Sequence, residues 1–98
     1  MRVEFRTDEL RRLYEEEADY ADYGMDVVRS YRKKVVFLLS ARSELDLRAM
    51  RSLHFEKLKG ARDGQHSIRL NNKWRLIVAL ANDDEGRVIV VIEIVDYH

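Results

Sequence analysis

The spacing of apolar residues changes midway along the chain, and this change limits the folds open to it. Between residues 26 and 39 the apolar side chains recur every three or four positions, which predicts an amphipathic helix. Its predicted buried stripe consists of Val27, Val28, Tyr31, Val35, Leu38 and Leu39. From residue 53 onward apolar and polar residues alternate, which predicts strands. These predicted strands are 53–58, 66–70, 74–80 and 87–97, with a tight turn at 82–86.

Three shorter elements complete the pattern. Residues 2–6 alternate and predict a short strand, and Thr7 is placed to cap a helix whose apolar stripe includes Leu10 and Leu13. Residues 43–50 predict one more short helix. The order of elements predicts an α+β fold: an antiparallel sheet of about four to five strands with two to three helices packed on one face.

Length and composition narrow the class of protein. The 98 residues predict one domain, 1–98. The absence of Cys excludes a disulfide, a thiolate metal site and a cysteine nucleophile. The first residues do not resemble a signal peptide, and the longest apolar run, 88–92, is too short to cross a bilayer. We therefore expect a cytoplasmic protein with no membrane contact.

The net charge of zero hides an uneven distribution. Residues 26–75 carry 13 basic and 5 acidic side chains, and the flanking residues carry the opposite excess. This pattern is compatible with a basic face for nucleic acid and equally with charges distributed for solubility.

The segment SIRLNNKWRL, residues 67–76, predicts a hairpin that brings two arginines together. A loop of three residues, 71–73, keeps the apolar side chains of both strands on one face. The same register places Arg69 directly opposite Arg75. Because like charges side by side destabilise a sheet, the pair predicts a fork for a phosphate. The alternative is that both arginines extend into water or pair with carboxylates of the first helix.

The last strand ends in Asp96, Tyr97 and His98. Alternation predicts that Ile92, Ile94, Asp96 and His98 share one face. A carboxylate close to an imidazole can orient it for proton transfer near neutral pH. The alternatives are that His98 is a frayed chain end and that Tyr97 is a packing residue.

Three further residues are candidates for the site. Lys59 ends a predicted strand before Gly60, where it can reach over a sheet edge, although most such lysines are only solvated. His54 and His66 have no carboxylate close in sequence, and their spacing does not suggest a metal site. His66 is interpreted as a surface histidine, with the stacking of a base as the alternative.

These segments resemble a known family. The stretches LHFEKLKGARDGQHSIRLNNKWRLIVAL and VVIEIVDYH are similar to the HigB group of RelE-like toxins, the plasmid maintenance system killer proteins. The resemblance runs from about residue 45 to the end. It implies a RelE-like microbial RNase fold and the toxin of a type II toxin–antitoxin system. It also implies a ribosome-dependent endoribonuclease that cuts mRNA in the 30S A site, and a HigA-like helix-turn-helix antitoxin as partner.

The resemblance also assigns roles to residues. Lys59 matches an active-site lysine of the family, Arg75 matches the arginine after its aromatic residue, and residues 96–98 match its C-terminal site. Arg69 matches the arginine of some members, whereas others place it at the position of Asn71. His66 departs from the Trp or Tyr found in many members.

The implied chemistry is attack by the RNA 2′-hydroxyl on the neighbouring phosphate, with no metal or other cofactor. His98, oriented by Asp96, would transfer a proton as acid or base, and Tyr97 would contact the substrate. Lys59, Arg69 and Arg75 would hold the phosphate. The alternative is a non-catalytic RNA- or protein-binding module of the same fold, with the acidic run 14–23 as one possible contact surface.

Overall fold

A computed structural model describes residues 1–16 and 23–96. Tyr97, His98 and most of the acidic run 14–23 therefore lie outside the described residues. The helices are α1 (Asp8–Glu15), α2 (Met25–Ser40) and α3 (Glu44–Ala49). The strands are β1 (Arg2–Phe5), β2 (Glu56–Lys57), β3 (Gln65–Arg69), β4 (Trp74–Asp83) and β5 (Gly86–Asp96). Short 3₁₀ turns lie at Arg51–Leu53 and Gly60–Arg62.

The strands form one sheet in the order β1-β5-β4-β3-β2. The α+β class, the five strands and the helices on one face agree with the sequence prediction. The expectation of a wholly antiparallel sheet was wrong in one respect, because β1 pairs with β5 in parallel. A parallel pair needs a long crossover connection, and the helices that follow β1 begin that connection.

The three helices bury their apolar stripes against the sheet. Thr7 caps α1 as predicted, accepting a hydrogen bond from the backbone nitrogen of Leu10 at 3.2 Å. The Tyr31 hydroxyl of α2 donates to the Leu10 carbonyl at 2.7 Å, which joins the two helices inside the core. The main strand residues in this core are Ile68, Leu76, Val78, Ile89, Val91 and Ile94.

Two predictions, one for the stripe of α2 and one for the strand 53–58, were wrong in detail. Leu39 is 44% exposed, so the buried apolar stripe of α2 ends at Leu38. The predicted strand 53–58 is reduced to Glu56–Lys57. The 3₁₀ turn before it and the left-handed backbone of His54 (φ 48°) interrupt the extended chain there.

A bulge between β4 and β5 changes the alternation of the last strand. Ile77 pairs with Glu93 but Val78 pairs with Val91, so Ile92 is an extra residue. Val91 and Ile94, three residues apart, both join the core, whereas Ile92 is buried outside it. The prediction that Ile92 and Ile94 share one face was therefore wrong.

Candidate functional site

The hairpin between β3 and β4 sets the position of the two arginines. Arg69 lies directly opposite Arg75, and the Leu70 nitrogen donates to the Trp74 carbonyl at 2.9 Å. The predicted loop of three residues, 71–73, is thus confirmed. Asn71 builds this loop, because its side-chain oxygen accepts from the backbone nitrogens of Lys73 and Trp74 at 2.9 and 2.7 Å.

Asn71 also ties the loop to the helices. Its side-chain nitrogen donates to the Asp26 carboxylate at 3.0 Å. This hydrogen bond is the main reason that the pKa of Asp26 is lowered. Asn71 therefore has a structural role in this chain, holding the hairpin loop against the start of α2.

The two arginines point away from the helices. Their neighbours Ile68 and Leu76 are fully buried in the core, so alternation places Arg69 and Arg75 on the opposite face of the sheet. We call this surface the open face. Val95 of β5 lies opposite Arg75 and continues the row. Two guanidiniums side by side can hold a phosphate with several charge-assisted hydrogen bonds.

Arg69 makes contacts at the edge of this row. One guanidinium nitrogen donates to the Asn72 side-chain oxygen, and another lies 3.5 Å from Nε2 of His54. The pKa of Lys34, a residue of α2, is lowered first by burial and then by the positive charges of Lys33 and Arg69. Asp8 and Glu15 of α1 both pair with Arg11.

His54 was not singled out by the sequence as part of this group. Its left-handed backbone, at the end of a 3₁₀ turn, brings the imidazole beside Arg69. A non-glycine residue with positive φ is a known mark of a constrained site, but the sequence contains no signal for that conformation.

Asp96 lies on the other side of the sheet from the arginines. It pairs with Trp74, which packs against the core, whereas Arg75 pairs with Val95. The Asp96 carboxylate lies 3.4 Å from Nζ of Lys73, and that ammonium is 5.7 Å from the centre of the Trp74 ring. The structure thus brings Asp96 to the end of the hairpin and not to the open face. Tyr97 and His98, the other two predicted residues of the C-terminal site, lie outside the described residues.

Lys59 begins the loop that joins β2 to β3. It is exposed and precedes the 3₁₀ turn Gly60–Arg62, and the Leu58 nitrogen closes the loop base by donating to the Gln65 carbonyl at 2.9 Å. Arg62 from the same loop donates to the side chains of Gln65 and Glu93. Glu93 is a residue of the open face, so the loop that carries Lys59 is attached to that face.

His66 was wrongly interpreted as a surface histidine. It is only 7% exposed and pairs with Val78 on the helix side of the sheet. Its ring stacks on Phe55, with centroids 4.5 Å apart and an angle of 7°. Burial is the main cause that lowers the pKa of His66. Because α3 and Phe55 cover this edge, His66 does not face the arginines.

Metal coordination and membrane insertion would each need a particular arrangement of residues. Across residues 1–16 and 23–96, no group of three or more His, Asp or Glu side chains is arranged to hold a metal ion. None of the helices in that part of the chain has the length and apolar content needed to span a membrane.

Comparison with known proteins identifies the family. A family model described as the RelE-like toxin of the type II toxin–antitoxin system HigB matches residues 3–98. Toxin HigB-1 from Vibrio cholerae serotype O1 is 32% identical over 77 residues, which are 79% of this chain and 81% of that protein.

Solved structures show the same fold at low sequence identity. YafQ from E. coli has a TM-score of 0.62 and 11% identity, with 98% of this chain and 93% of that chain covered. The toxin–antitoxin complex RelBE2 from Mycobacterium tuberculosis has a TM-score of 0.50 and 21% identity, with 98% and 96% covered. These likenesses confirm the RelE-like α+β fold.

Proposed function

The chain belongs to the HigB-like family of RelE-like toxins of type II toxin–antitoxin systems, and on this premise we propose that it is an endoribonuclease that cuts mRNA on translating ribosomes. The observation that carries the proposal is the placement of Arg69 opposite Arg75 on the face of the sheet that the helices leave open. A like-charged pair at this position is unfavourable for the sheet alone and favourable for binding a phosphodiester.

RNA supplies its own nucleophile, the 2′-hydroxyl beside the scissile phosphate. The enzyme must therefore supply a base for that hydroxyl, an acid for the leaving 5′-oxygen, and cations for the charge that develops on the phosphate. Arg69, Arg75 and Lys59 are the proposed cations, so the proposed reaction needs no metal ion. His98 is the proposed proton-transfer residue, and Tyr97 is the proposed contact to the substrate.

Asp96 has a narrower proposed role. Because it pairs with Trp74 and contacts Lys73 on the helix side, it is suited to anchoring the end of β5 and not to touching the phosphate. We propose that it acts on catalysis through the position of the two residues that follow it.

The partners follow from the same premise. A neutral chain has little long-range attraction for RNA, which fits delivery of the mRNA by the ribosome in its A site. An antitoxin is the expected inhibitor, since the RelBE2 structure is itself a toxin–antitoxin complex. We propose a helix-turn-helix antitoxin of the HigA type and action in the cytoplasm.

The test is cleavage of mRNA in a purified translation system, with the 5′ ends mapped. We expect wild type to cut, and His98→Ala to reduce the rate by roughly 100- to 10,000-fold, the usual contribution of a proton-transfer group. Arg69→Gln with Arg75→Gln should also reduce cleavage, whereas Arg29→Gln, an exposed residue of α2, should not. Binding of RNA without any cleavage, unaffected by His98→Ala, would instead identify a non-catalytic binding module.

A further inference from the structure

Ser67 and Ile77 of the open face are buried, although none of the helices in residues 1–16 and 23–96 packs on that face. Ser67 is 0% and Ile77 is 2% exposed. They pair with each other, and Ile77 also pairs with Glu93, so the three residues form one row across β3, β4 and β5. Another part of the chain must therefore cover this row.

The side chain of Arg62, from the loop of residues 59–64, reaches over this row. Nη1 of Arg62 donates to Oε1 of Gln65 on β3 at 3.0 Å, and Nη2 donates to Oε1 of Glu93 on β5. Because β4 lies between these two strands, the guanidinium crosses over β4 on the open face. We call Arg62 with its partners Gln65 and Glu93 the Arg62 strap.

The strap lies next to the arginine pair. The row of Glu93, Ile77 and Ser67 is two residues along the strands from the row of Val95, Arg75 and Arg69. Two residues of a strand span about 7 Å, so Arg62 and its loop lie beside the two guanidiniums on the open face. Lys59 is three residues before Arg62 on that loop.

We propose that the ion pair of Arg62 with Glu93 positions Lys59, by holding the 59–64 loop closed over the open face before substrate arrives. Lys59 is a site residue only if the proposed endoribonuclease function is right, and the inference rests on that function to this extent. Arg62 is a positioning residue here and not a phosphate ligand, because its guanidinium already binds two side-chain oxygens. The guanidinium of Arg62 compensates the negative charge of Glu93, so this carboxylate can lie beside a phosphate site.

The first measurement is independent of catalysis. Amide hydrogen exchange of the intact protein should show exchange about two- to fivefold faster at residues 60–64 in Glu93→Gln and Arg62→Gln, the effect expected for a partly exposed ion pair. The matched control is Glu15→Gln, which removes a comparably exposed pair with Arg11 on α1. It should leave the exchange of residues 60–64 unchanged.

The second measurement couples the strap to Lys59. Single-turnover cleavage should fall about two- to fivefold in Glu93→Gln and should not fall further when Glu93→Gln is added to Lys59→Ala. Reversal of the pair, Arg62→Glu with Glu93→Arg, should restore slow loop exchange.

The outcomes separate the two proposals. Unchanged loop exchange in both variants, or full additivity with Lys59→Ala, would overturn the positioning role. Tighter RNA binding in Glu93→Gln with weaker binding in Arg62→Gln would also overturn it, because Arg62 would then be a phosphate ligand. If wild type cut no RNA while loop exchange responded as expected, the result would support the Arg62 strap as the contact that holds the loop. It would overturn the proposed endoribonuclease function.

Discussion

Asp96 lies opposite Trp74 in the β4–β5 ladder, one position beyond the pairing of Val95 with Arg75. Adjacent positions of a strand point to opposite faces, so the carboxylate and the arginine pair are separated by the sheet. Asp96 therefore lies with Lys73 at the end of the hairpin and not beside the two guanidiniums.

The first prediction separates these two parts by RNA affinity. Arg75→Gln should weaken binding of an RNA oligonucleotide and reduce the log–log salt slope by about 1, as for the loss of one phosphate contact. Asp96→Asn should leave the slope unchanged while lowering the cleavage rate. Fluorescence anisotropy at several salt concentrations measures the salt slope of both variants. An equal change of slope in the two variants would contradict the assignment.

A second prediction concerns the stability of the arginine pair. Arg69→Gln removes one of two like charges that face each other, so it should raise the free energy of unfolding by about 0.2–1 kcal/mol. The same variant should cut RNA more slowly. Urea unfolding is the measurement, with Arg29→Gln as the control for losing one surface charge. Destabilisation by Arg69→Gln would show that the contacts of Arg69 with Asn72 and His54 outweigh the repulsion.

A third prediction follows from the buried imidazole of His66. Burial lowers its pKa in the folded protein, so the unfolded chain binds a proton more readily near pH 6. The stability due to neutral His66 is then fully present above its unfolded pKa of about 6.5 and is lost as the pH falls below that value.

Replacement by Phe tests this effect, since Phe keeps a ring that can stack on Phe55. The free energy of unfolding of wild type should fall between pH 7.5 and 5.5 by more than that of His66→Phe, at up to about 1.4 kcal/mol per pH unit for one group. Equal losses in the two proteins would show that His66 does not titrate with unfolding.

A fourth prediction tests the bond that joins α1 to α2. Tyr31→Phe removes the hydroxyl that donates to the Leu10 carbonyl at 2.7 Å in a fully buried place. The loss should lower the free energy of unfolding by about 0.5–1.5 kcal/mol without changing the fold. Chemical denaturation with far-ultraviolet circular dichroism provides the measurement. A change within error would mean that water or another donor replaces the hydroxyl.

The register of Arg69 with Arg75 was predictable because it depends on a short hairpin. The apolar residues on its two strands allow only one pairing that keeps them on the same face. The parallel pairing of β1 with β5 was not predictable in this way, since it joins segments more than eighty residues apart and leaves no local pattern.

Other misses have equally specific reasons. The bulge at Ile92 changes the alternation within an unbroken apolar run, where every register looks equally hydrophobic. His66 is polar by type but is buried by Phe55, whose position depends on the left-handed turn at His54. The Arg62 strap needs the loop to fold back over three strands, which neighbouring residues in the sequence do not indicate.

The pairing of β1 with β5 also bears on how the protein is made. A ribosome synthesises β5 last among the strands, yet β5 is the strand that links β1 to the rest of the sheet. The nascent chain can therefore form its helices and the hairpin of β3 with β4 while the sheet is still incomplete. The sheet can close only after residues 86–96 have been synthesised, so the row of Arg69, Arg75 and Val95 is incomplete until then.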